Sequence, residues 1–317
     1  MPDRRPPART RRATNRDQVG SAQSARSARS AVPAGTHPID TGEVTLTADP
    51  GDPGGWFVIV NGVPSSYVHL GDPTRLDFEY VRWTGDILDH LPSGPLRVTH
   101  LGGAGCTLAR YVTATRPGSR QVVFEIDGAL VDLVREGFGL VRDRGIRVRT
   151  GDARAGLASL RDGSQDVVIR DAFTGNRVPG HLTTLEFAHE LVRVLDASGV
   201  YVANVADRTE QRHARAEAAT LREVFAHVAL IAEPSQLRGR RYGNVLLLAS
   251  NAELPLDGLT RRLASGAVRA RLVLPDRVAE LVAGLRPLRD PAEPDKIVED
   301  DLTEGEPPRE RTEDTWA

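Results

Sequence analysis

The sequence predicts an α/β fold in which a small antiparallel β subdomain precedes a mostly parallel sheet. From residue 96 to about residue 250, apolar segments of strand length alternate with amphipathic segments of helix length. A glycine turn at residues 102–106 follows the first of these strands. Strands joined in this way by helices have right-handed crossovers, so the sheet should be largely parallel and covered by helices on both faces.

The chain before this alternation has the pattern of an antiparallel β subdomain, which we place at residues 41–75. Strand-forming runs occur at residues 44–46, 56–60 and 66–70. The dipeptide Asn61-Gly62 is a strong signal for a tight hairpin between the second and third runs. An amphipathic helix is predicted over residues 77–90, where apolar side chains recur at helical spacing.

The alternating region should form the main domain, at residues 76–288. Strands are predicted at residues 96–101, 121–126, 146–150, 166–171, 199–205, 227–232 and 243–249. Helices are predicted around Arg110 and at residues 128–140, 182–196 and 209–226, with two more within residues 255–288. A short proline-containing loop separates the last two strands, so the last strand should pair antiparallel to the one before it.

Two charged tails flank these domains. Residues 1–36 contain eight arginines and two aspartates, and residues 290–317 contain eleven acids and three bases. Both segments have few large apolar side chains, so we expect both to be disordered. The arginine-rich tail has no interleaved aromatic residues, which favours a solvated tail over a nucleic-acid contact.

Composition excludes several classes of protein. Cys106 is the single cysteine, so the chain has no internal disulfide and no Cys-rich metal site, and we expect no metal. Lys296, in the acidic tail, is the single lysine, which excludes a P-loop or Schiff-base lysine in the folded region. The 317 residues contain no apolar run of membrane-span length and no signal-peptide core, so we expect a cytoplasmic protein without a membrane partner.

The glycine turn indicates an adenosine-containing ligand. Gly102, Gly103 and Gly105 would let the backbone approach such a ligand closely. Glu125 lies 20 residues beyond Gly105, at the end of the second strand, where a carboxylate can accept both hydroxyl protons of a ribose. Leu108 replaces the third glycine of a dinucleotide fingerprint, which favours a nucleoside without phosphates over NAD or FAD. The alternative is that the turn only links a strand to a helix.

An acid follows each of the second, third and fourth strands of the main domain: Asp127, Asp152 and Asp171. Loops at the carboxyl ends of parallel strands meet at one edge of the sheet, so these carboxylates should lie close together around a ligand. Helix N-capping is the alternative for Asp127 and Asp152, because an aspartate before a helix commonly serves that purpose. The three acids together favour the ligand-binding interpretation.

Short motifs are spread over the folded region from about Trp56 to Ser250. They comprise the hairpin 60–65, the helix start 77–80, the glycine turn, and residues 124–127, 151–153, 166–171 and 182–187. Together they resemble the spermidine synthase family of aminopropyltransferases, and within it the divergent actinobacterial spermidine synthase-like proteins. The resemblance implies a methyltransferase-type Rossmann fold after a small β domain, which is the order that the sequence pattern predicts.

The resemblance also implies a role for each matching residue. Glu125 would hold the ribose, and Asp152 with Ala153 would bind the adenine, beside the glycine turn. Asp171 would be the catalytic acid/base that takes the proton of an attacking amine. Tyr80, Thr174 and Tyr242 would line the binding site of the second substrate. The implied reaction is aminopropyl transfer in polyamine biosynthesis, with decarboxylated S-adenosylmethionine, or S-adenosylmethionine itself, as co-substrate and no tightly bound cofactor.

Three positions depart from the family pattern. Gly105 replaces an aspartate that would bind the aminopropyl amine, Thr174 replaces one that would bind the diamine, and Ser65 replaces a glutamine. A diamine needs a carboxylate at both ends, because an unpaired buried ammonium group is strongly destabilising. Nucleoside binding is therefore better supported than polyamine chemistry, and we expect weak turnover of putrescine.

Two other functions remain open on this fold. One is an S-adenosylmethionine-dependent methyltransferase, although His100 stands where such enzymes usually have an acid. The other is a non-catalytic nucleoside-binding homologue, which Gly105 and Thr174 favour and the presence of Asp171 disfavours. The expected partners are small-molecule nucleoside and amine substrates. The assembly is left open between a monomer and a homodimer.

Overall fold

The computed structural model describes residues 32–140, 145–208 and 210–291. Most of both predicted tails, residues 1–31 and 292–317, lies outside these ranges. Within them, a four-stranded antiparallel sheet is followed by an eight-stranded, mostly parallel sheet. The predicted fold class is confirmed.

The small sheet consists of four antiparallel strands that are neighbours in chain order. They are β1 (Gly35–Ile39), β2 (Gly42–Ala48), β3 (Gly55–Val60) and β4 (Val63–His69). The predicted hairpin joins β3 to β4, and both Asn61 and Gly62 have positive φ, at 49° and 77°. Two successive positive φ angles match the twist of a tight hairpin, which explains the preference for this dipeptide.

Strand β1 corrects the predicted boundary of the amino-terminal tail. It begins at Gly35, within the stretch that we assigned to the tail, and it pairs along β2 from Gly35 opposite Leu46 to Ile39 opposite Gly42. Val32 is also buried, against the helix that follows the second strand of the main sheet. The segment carries too few apolar side chains to be recognised as a strand, and its pairing with β2 holds it in place.

The main sheet has the strand order β12-β10-β11-β9-β8-β5-β6-β7. Its strands are β5 (Arg97–Leu101), β6 (Arg120–Glu125), β7 (Ile146–Thr150), β8 (Gln165–Arg170), β9 (Leu195–Asp207), β10 (His227–Ala232), β11 (Gly243–Ser250) and β12 (Arg271–Val273). Strands β5 to β9 pair in parallel, and β11 lies antiparallel between β9 and β10. The predicted antiparallel pairing is therefore confirmed. Strand β12, which pairs antiparallel to β10, was not predicted.

Helices cover both faces of the main sheet. They are α1 (Glu79–His90), α2 (Thr107–Thr115), α3 (Gly128–Phe138), α4 (Ala153–Ala158), α5 (Leu185–Val194), α6 (Arg212–Arg222), α7 (Pro234–Leu237), α8 (Leu256–Ser265) and α9 (Pro275–Leu281). Trp83 of α1 and Leu259 of α8 belong to the core on one face, while Leu157 and Leu191 belong to the core on the other. Because both faces are covered, the loops at the strand ends are left to form a site.

The described residues include no helix that is both long enough and apolar enough to cross a lipid bilayer. Within the same ranges, no three histidine, cysteine or acidic side chains are grouped so that they could hold a metal ion.

Candidate functional site

A cavity of about 580 Å³ opens at the carboxyl ends of the parallel strands and extends beneath the β3–β4 hairpin. Nine of the ten site residues predicted from the sequence line it: Tyr80, Gly102, Gly103, Glu125, Asp152, Ala153, Asp171, Thr174 and Tyr242. Gly105 does not line it. The sheet thus gathers residues that are up to 162 positions apart in sequence, as expected when they follow strands that end at one edge.

Gly105 packs against the small sheet. Its backbone N–H donates to Ser66 Oγ at 3.1 Å. A β-carbon at this position would lie 2.6 Å from Val68 Cγ2 and 2.8 Å from Ser66 Cβ, so β4 leaves no space for a side chain. The glycine is required for this contact between the two domains, and an aspartate in its place would displace β4.

Gly102 brings the glycine turn against the loop that follows β8. Its φ of +89° is one that residues with a side chain rarely adopt, and a β-carbon would lie 2.3 Å from the carbonyl oxygen of Asp171. In addition, the Asp171 N–H donates to the Leu101 carbonyl at 2.9 Å. The turn and the predicted catalytic residue are therefore held in one rigid arrangement.

Glu125 closes the glycine turn from the end of β6. Its Oε2 accepts hydrogen bonds from the backbone N–H groups of Gly103 (2.8 Å) and Ala104 (3.0 Å). Its Oε1 accepts one longer bond, from the Asp127 N–H at 3.3 Å. One carboxylate oxygen thus fixes the turn, while the other retains capacity for a hydroxyl donor from a ligand.

Asp127 serves as a structural cap. It accepts from the Leu130 N–H at 2.8 Å, at the start of α3, and from both the N–H and the hydroxyl of Thr41 at 2.7 Å. Burial acts to raise the pKa of Asp127, but these donors hold it below its ordinary value. The capping alternative is correct for this residue, which also ties the small sheet to the main domain.

Asp152 combines a cap with a contact in the cavity. Its Oδ1 accepts from the Ala155 N–H at 2.9 Å, and its Oδ2 lies 2.9 Å from His181 Nε2. Burial acts to raise the pKa of Asp152, but the Ala155 and His181 donors hold it below its ordinary value. The carboxylate is therefore charged at neutral pH. Asp152 is thus both a helix cap and a residue available to a ligand.

Asp171 lies half-buried at the base of the cavity, between two polar side chains. Asn204 Nδ2 donates to its Oδ1 at 3.0 Å, and the Tyr80 hydroxyl is a second hydrogen-bond donor. Burial raises the pKa of Asp171, while the bonds from Asn204 and Tyr80 oppose that shift. A carboxylate with a raised pKa, held by two donors, is suited to accept a proton from a substrate.

Asn204 is the residue of the site whose role the sequence did not reveal. Only 4% of its surface is exposed, and it lines the cavity. Its Oδ1 has no hydrogen-bond partner among the described residues. A buried acceptor without a partner is destabilising, so this oxygen is well placed to receive a donor from a ligand.

The side chains that line the cavity are predominantly acidic among the charged ones. Among the described residues its lining includes no arginine or lysine, but it includes the carboxylates of Asp77, Glu125, Asp127, Asp152 and Asp171. His100, also in the lining, bonds to Gln121 Oε1 at 2.9 Å, and burial lowers the pKa of His100 to about 4. This histidine is therefore neutral at pH 7. A cavity of this kind favours cationic ligands.

The positions predicted for the second substrate lie nearer the surface. Thr174 is exposed on a tight turn, where its N–H donates to the Arg177 carbonyl at 2.8 Å. Tyr242 is 52% exposed. His181 is exposed, and its ring is paired with Asp152. Twenty-nine positions separate that pair, so no local sequence pattern could have shown it.

The chain is similar in sequence to several curated proteins, most of them polyamine aminopropyltransferases. No protein-family model matches the chain. A polyamine aminopropyltransferase from Vibrio vulnificus is 32% identical over 183 residues, which are 57% of this chain and 58% of the relative. One from Neisseria meningitidis is 25% identical over 203 residues, or 62% of this chain and 73% of the relative. The chain therefore spans less than two thirds of the length of the first of these relatives.

Solved structures extend the similarity to a larger share of the chain. The structure of a probable spermidine synthase from Corynebacterium glutamicum has a TM-score of 0.78 and 39% sequence identity, covering 82% of this chain and 97% of the other. That of a spermidine synthase from Thermotoga maritima has a TM-score of 0.54 at 14% identity, covering 78% of this chain and 86% of the other. At that identity, the second match shows the common fold alone.

Proposed function

The chain belongs to the spermidine synthase family, and on that basis we propose that it transfers an aminopropyl group from decarboxylated S-adenosylmethionine to an amine. The observation that carries this proposal is the Asp171 carboxylate, which Asn204 and Tyr80 hold at the base of an acidic cavity. Both proposed substrates carry positive charge, so a cavity lined by five carboxylates would concentrate them.

The nucleoside part of the donor would occupy the end of the cavity near Glu125 and Asp152. Glu125 Oε1 accepts one long hydrogen bond from the backbone, and it would also accept hydrogen bonds from the ribose hydroxyl groups. Asp152 Oδ2, whose partner is His181, would accept a hydrogen bond from the adenine amino group. The donor is then a co-substrate that leaves as methylthioadenosine, and no tightly bound cofactor is involved.

The chemical step needs a neutral amine aligned with the carbon next to the sulfonium. The nitrogen lone pair forms the new C–N bond while the C–S bond breaks, and the bonding pair moves to sulfur, which becomes a neutral thioether. The nitrogen then carries an extra proton, and Asp171 accepts it. Because the sulfonium is already a good leaving group, alignment and proton transfer are what this site would contribute.

Asn204 would hold the attacking amine beside Asp171. Its Nδ2 is committed to the Asp171 carboxylate, so its unpartnered Oδ1 would accept one N–H of the amine. The amine's second N–H would face Asp171, which leaves the lone pair free to point at the donor carbon. Two acceptors at this point would therefore orient the nucleophile before it reacts.

The acceptor proposed here differs from an ordinary diamine. Gly105, where the family pattern has an aspartate for the donor's aminopropyl amine, has no space for a carboxylate. Thr174 offers a hydroxyl where a diamine would need a second acid. A second ammonium group would be left without an anionic partner at that position. We therefore expect weak turnover of putrescine and preference for a monoamine, which has no second ammonium group.

The test is product formation by mass spectrometry with a panel of amines and both sulfonium donors. Aminopropylated product together with methylthioadenosine supports the proposal. Methyl transfer from S-adenosylmethionine would assign the chain to the methyltransferase alternative. Tight binding of methylthioadenosine without turnover of any pair would assign it to the non-catalytic alternative. A cytoplasmic location and a homodimeric assembly belong to the same proposal, and fractionation and light scattering would test them.

A further inference from the structure

The carboxyl-terminal segment, residues 285–291, is fastened to the main domain by its backbone. The Leu185 N–H donates to the Leu288 carbonyl, and the Leu288 N–H donates to Thr220 Oγ1, both at 2.8 Å. The Asp290 N–H donates to Glu186 Oε2 at 2.9 Å. The segment thus crosses the start of α5, and these bonds fix the position of the Asp290 side chain.

Asp290 forms a bidentate ion pair with Arg154 of α4. Arg154 Nη1 donates to Asp290 Oδ1 at 2.7 Å, and Nη2 donates to Oδ2 at 2.6 Å. The two side chains are only 26% and 31% exposed. The pair holds the pKa of Asp290 below its ordinary value. Two parallel bonds between planar groups fix the orientation of the guanidinium as well as its position.

The same guanidinium reaches the loop that forms one wall of the cavity, residues 172–184, which we call the wall loop. Arg154 Nη1 donates to the His181 carbonyl at 3.2 Å. The imidazole of His181 faces the other way and bonds to Asp152 at 2.9 Å. Arg154 and Asp152 both belong to the start of α4, so this helix end holds His181 by its backbone and by its ring.

We propose that Asp290 and Arg154 are positioning residues for the nucleoside end of the cavity. They hold His181, and through it the Asp152 carboxylate, in the arrangement that the nucleoside meets on binding. This inference rests on the proposed function, because it concerns the nucleoside subsite of the same cavity. Without the ion pair the wall loop would have to be ordered when the ligand binds, and that loss of entropy would weaken affinity.

The first experiment compares Asp290→Asn with the unaltered full chain by calorimetric titration with methylthioadenosine. We expect affinity to fall about 5- to 30-fold, the range for loss of a half-buried charged pair. In turnover assays the KM for the donor should rise while kcat at saturating donor stays within about twofold. The matched control is Asp162→Asn, which removes a surface ion pair with Arg193 (2.6 Å). It should leave the affinity, the KM and the kcat unchanged.

Two sets of variants exclude a general loss of folding. A chain that ends at Pro291 should bind as the full chain does, whereas one that ends at Arg289 should bind like Asp290→Asn. Exchanging the two charges, Arg154→Asp with Asp290→Arg, should restore part of the affinity that either single change removes. If the double variant binds methylthioadenosine no more tightly than either single variant, pairing of these two charges does not support affinity and the inference is overturned.

Hydrogen–deuterium exchange separates this inference from the proposed function. In Asp290→Asn, peptides from residues 176–184 should exchange faster than in the unaltered protein, without added ligand. Unaltered exchange in that loop overturns the inference, even if the protein proves to bind no nucleoside. Equal affinity of both proteins for methylthioadenosine also overturns it. Absence of nucleoside binding in the unaltered protein, with faster loop exchange in the variant, overturns only the proposed function.

Discussion

Asn204 donates a hydrogen bond to Asp171 at 3.0 Å, although 33 positions separate them in sequence. The contact follows from the register of the sheet, because Arg170 of β8 lies opposite Ala203 of β9. The next residues, Asp171 after the end of β8 and Asn204 within β9, therefore lie side by side. Since Nδ2 faces a carboxylate, Oδ1 must point away from it. The proposed base is thus accompanied by a second acceptor.

Asp171→Asn should remove most turnover and leave methylthioadenosine affinity largely intact. The amide keeps the shape of the carboxyl group but cannot take the proton of the amine, and loss of a general base typically lowers the rate about 10²–10⁴-fold. Steady-state kinetics and calorimetric titration measure the two effects separately. Asp162→Asn, which alters an exposed carboxylate, is the control. Retention of more than a tenth of the turnover would remove Asp171 from the mechanism.

The same variant gives a check on folding through its pH dependence. The pKa of Asp171 is raised by burial, so this group stabilises the fold below its unfolded pKa of about 3.9 and loses that contribution as pH rises through the folded pKa. Asp171→Asn should therefore unfold at a higher temperature than the parent at pH 7. The advantage should shrink as pH falls toward 4.

Asn204→Leu should move the acid limb of the kcat/KM profile to higher pH. Asn204 donates to the charged form of Asp171, so removing the donor raises the pKa of the carboxyl group further. Tyr80→Phe should move the limb in the same direction, for the same reason. Asn244→Leu alters another amide of the cavity lining and should leave the limb in place. A limb that moves to lower pH in Asn204→Leu would contradict the assignment of Asp171 as the base.

Glu125→Ala should weaken methylthioadenosine binding strongly. The carboxylate is proposed to accept the ribose hydroxyl protons, and losing such a partner typically costs about 1–3 kcal/mol, or about 5- to 150-fold in affinity. Because Glu125 also accepts from Gly103 and Ala104, we expect a lower melting temperature as well. Calorimetry on protein shown to be folded by circular dichroism is the measurement. Glu190→Gln, on the surface of α5, is the control. Unchanged affinity would reject the ribose assignment.

Gly105→Asp should destabilise the protein instead of restoring a familiar amine site. The new side chain would collide with Val68 and Ser66, and overpacking of this kind typically costs about 1–3 kcal/mol, before the cost of burying a charge. Differential scanning calorimetry should show a fall in melting temperature of about 5 °C or more. Gly180→Asp is the control, since a β-carbon there meets no atom of the described residues within 4 Å. Equal melting temperatures for the two variants would mean that β4 can move aside to accommodate a side chain at position 105 without loss of stability.

Thr174→Asp should increase turnover of diamines relative to monoamines. Thr174 is exposed at the rim of the cavity, so an aspartate fits there and supplies the anionic partner for a second ammonium group. The ratio of kcat/KM for putrescine to that for butylamine is the measurement. Thr174→Asn gives the same shape without the charge and should leave the ratio near the parent value. If both variants behave alike, the acceptor's far end does not reach this turn.

The architecture was predictable because hydrophobic periodicity reports burial directly. The runs that became β5, β6 and β8 are apolar enough to be recognised without context, and the glycine turn marks where the first of them ends. Strands β1 and β12 were missed for a physical reason. They are short edge strands with few buried side chains, so their existence depends on the strands that they pair with.

The site was predictable in part for a related reason. Residues at strand ends converge whatever the details of packing, which is why Glu125, Asp152 and Asp171 could be named as neighbours. The bond from Asn204 to Asp171 depends on register, and the ion pair of Asp290 with Arg154 depends on the path of the last described residues. Neither relationship leaves a trace in local sequence.

The acidic lining of the cavity has a practical consequence at the bench. Forty of the 317 residues are arginines, yet none of those described lines the cavity, so its acidic side chains should also attract small cations from solution. Primary-amine buffers such as Tris carry the same charged group as the proposed acceptor and would compete for it. Measured constants should therefore depend on buffer identity as well as on ionic strength, and assays in an amine-free buffer at constant salt will give the meaningful values.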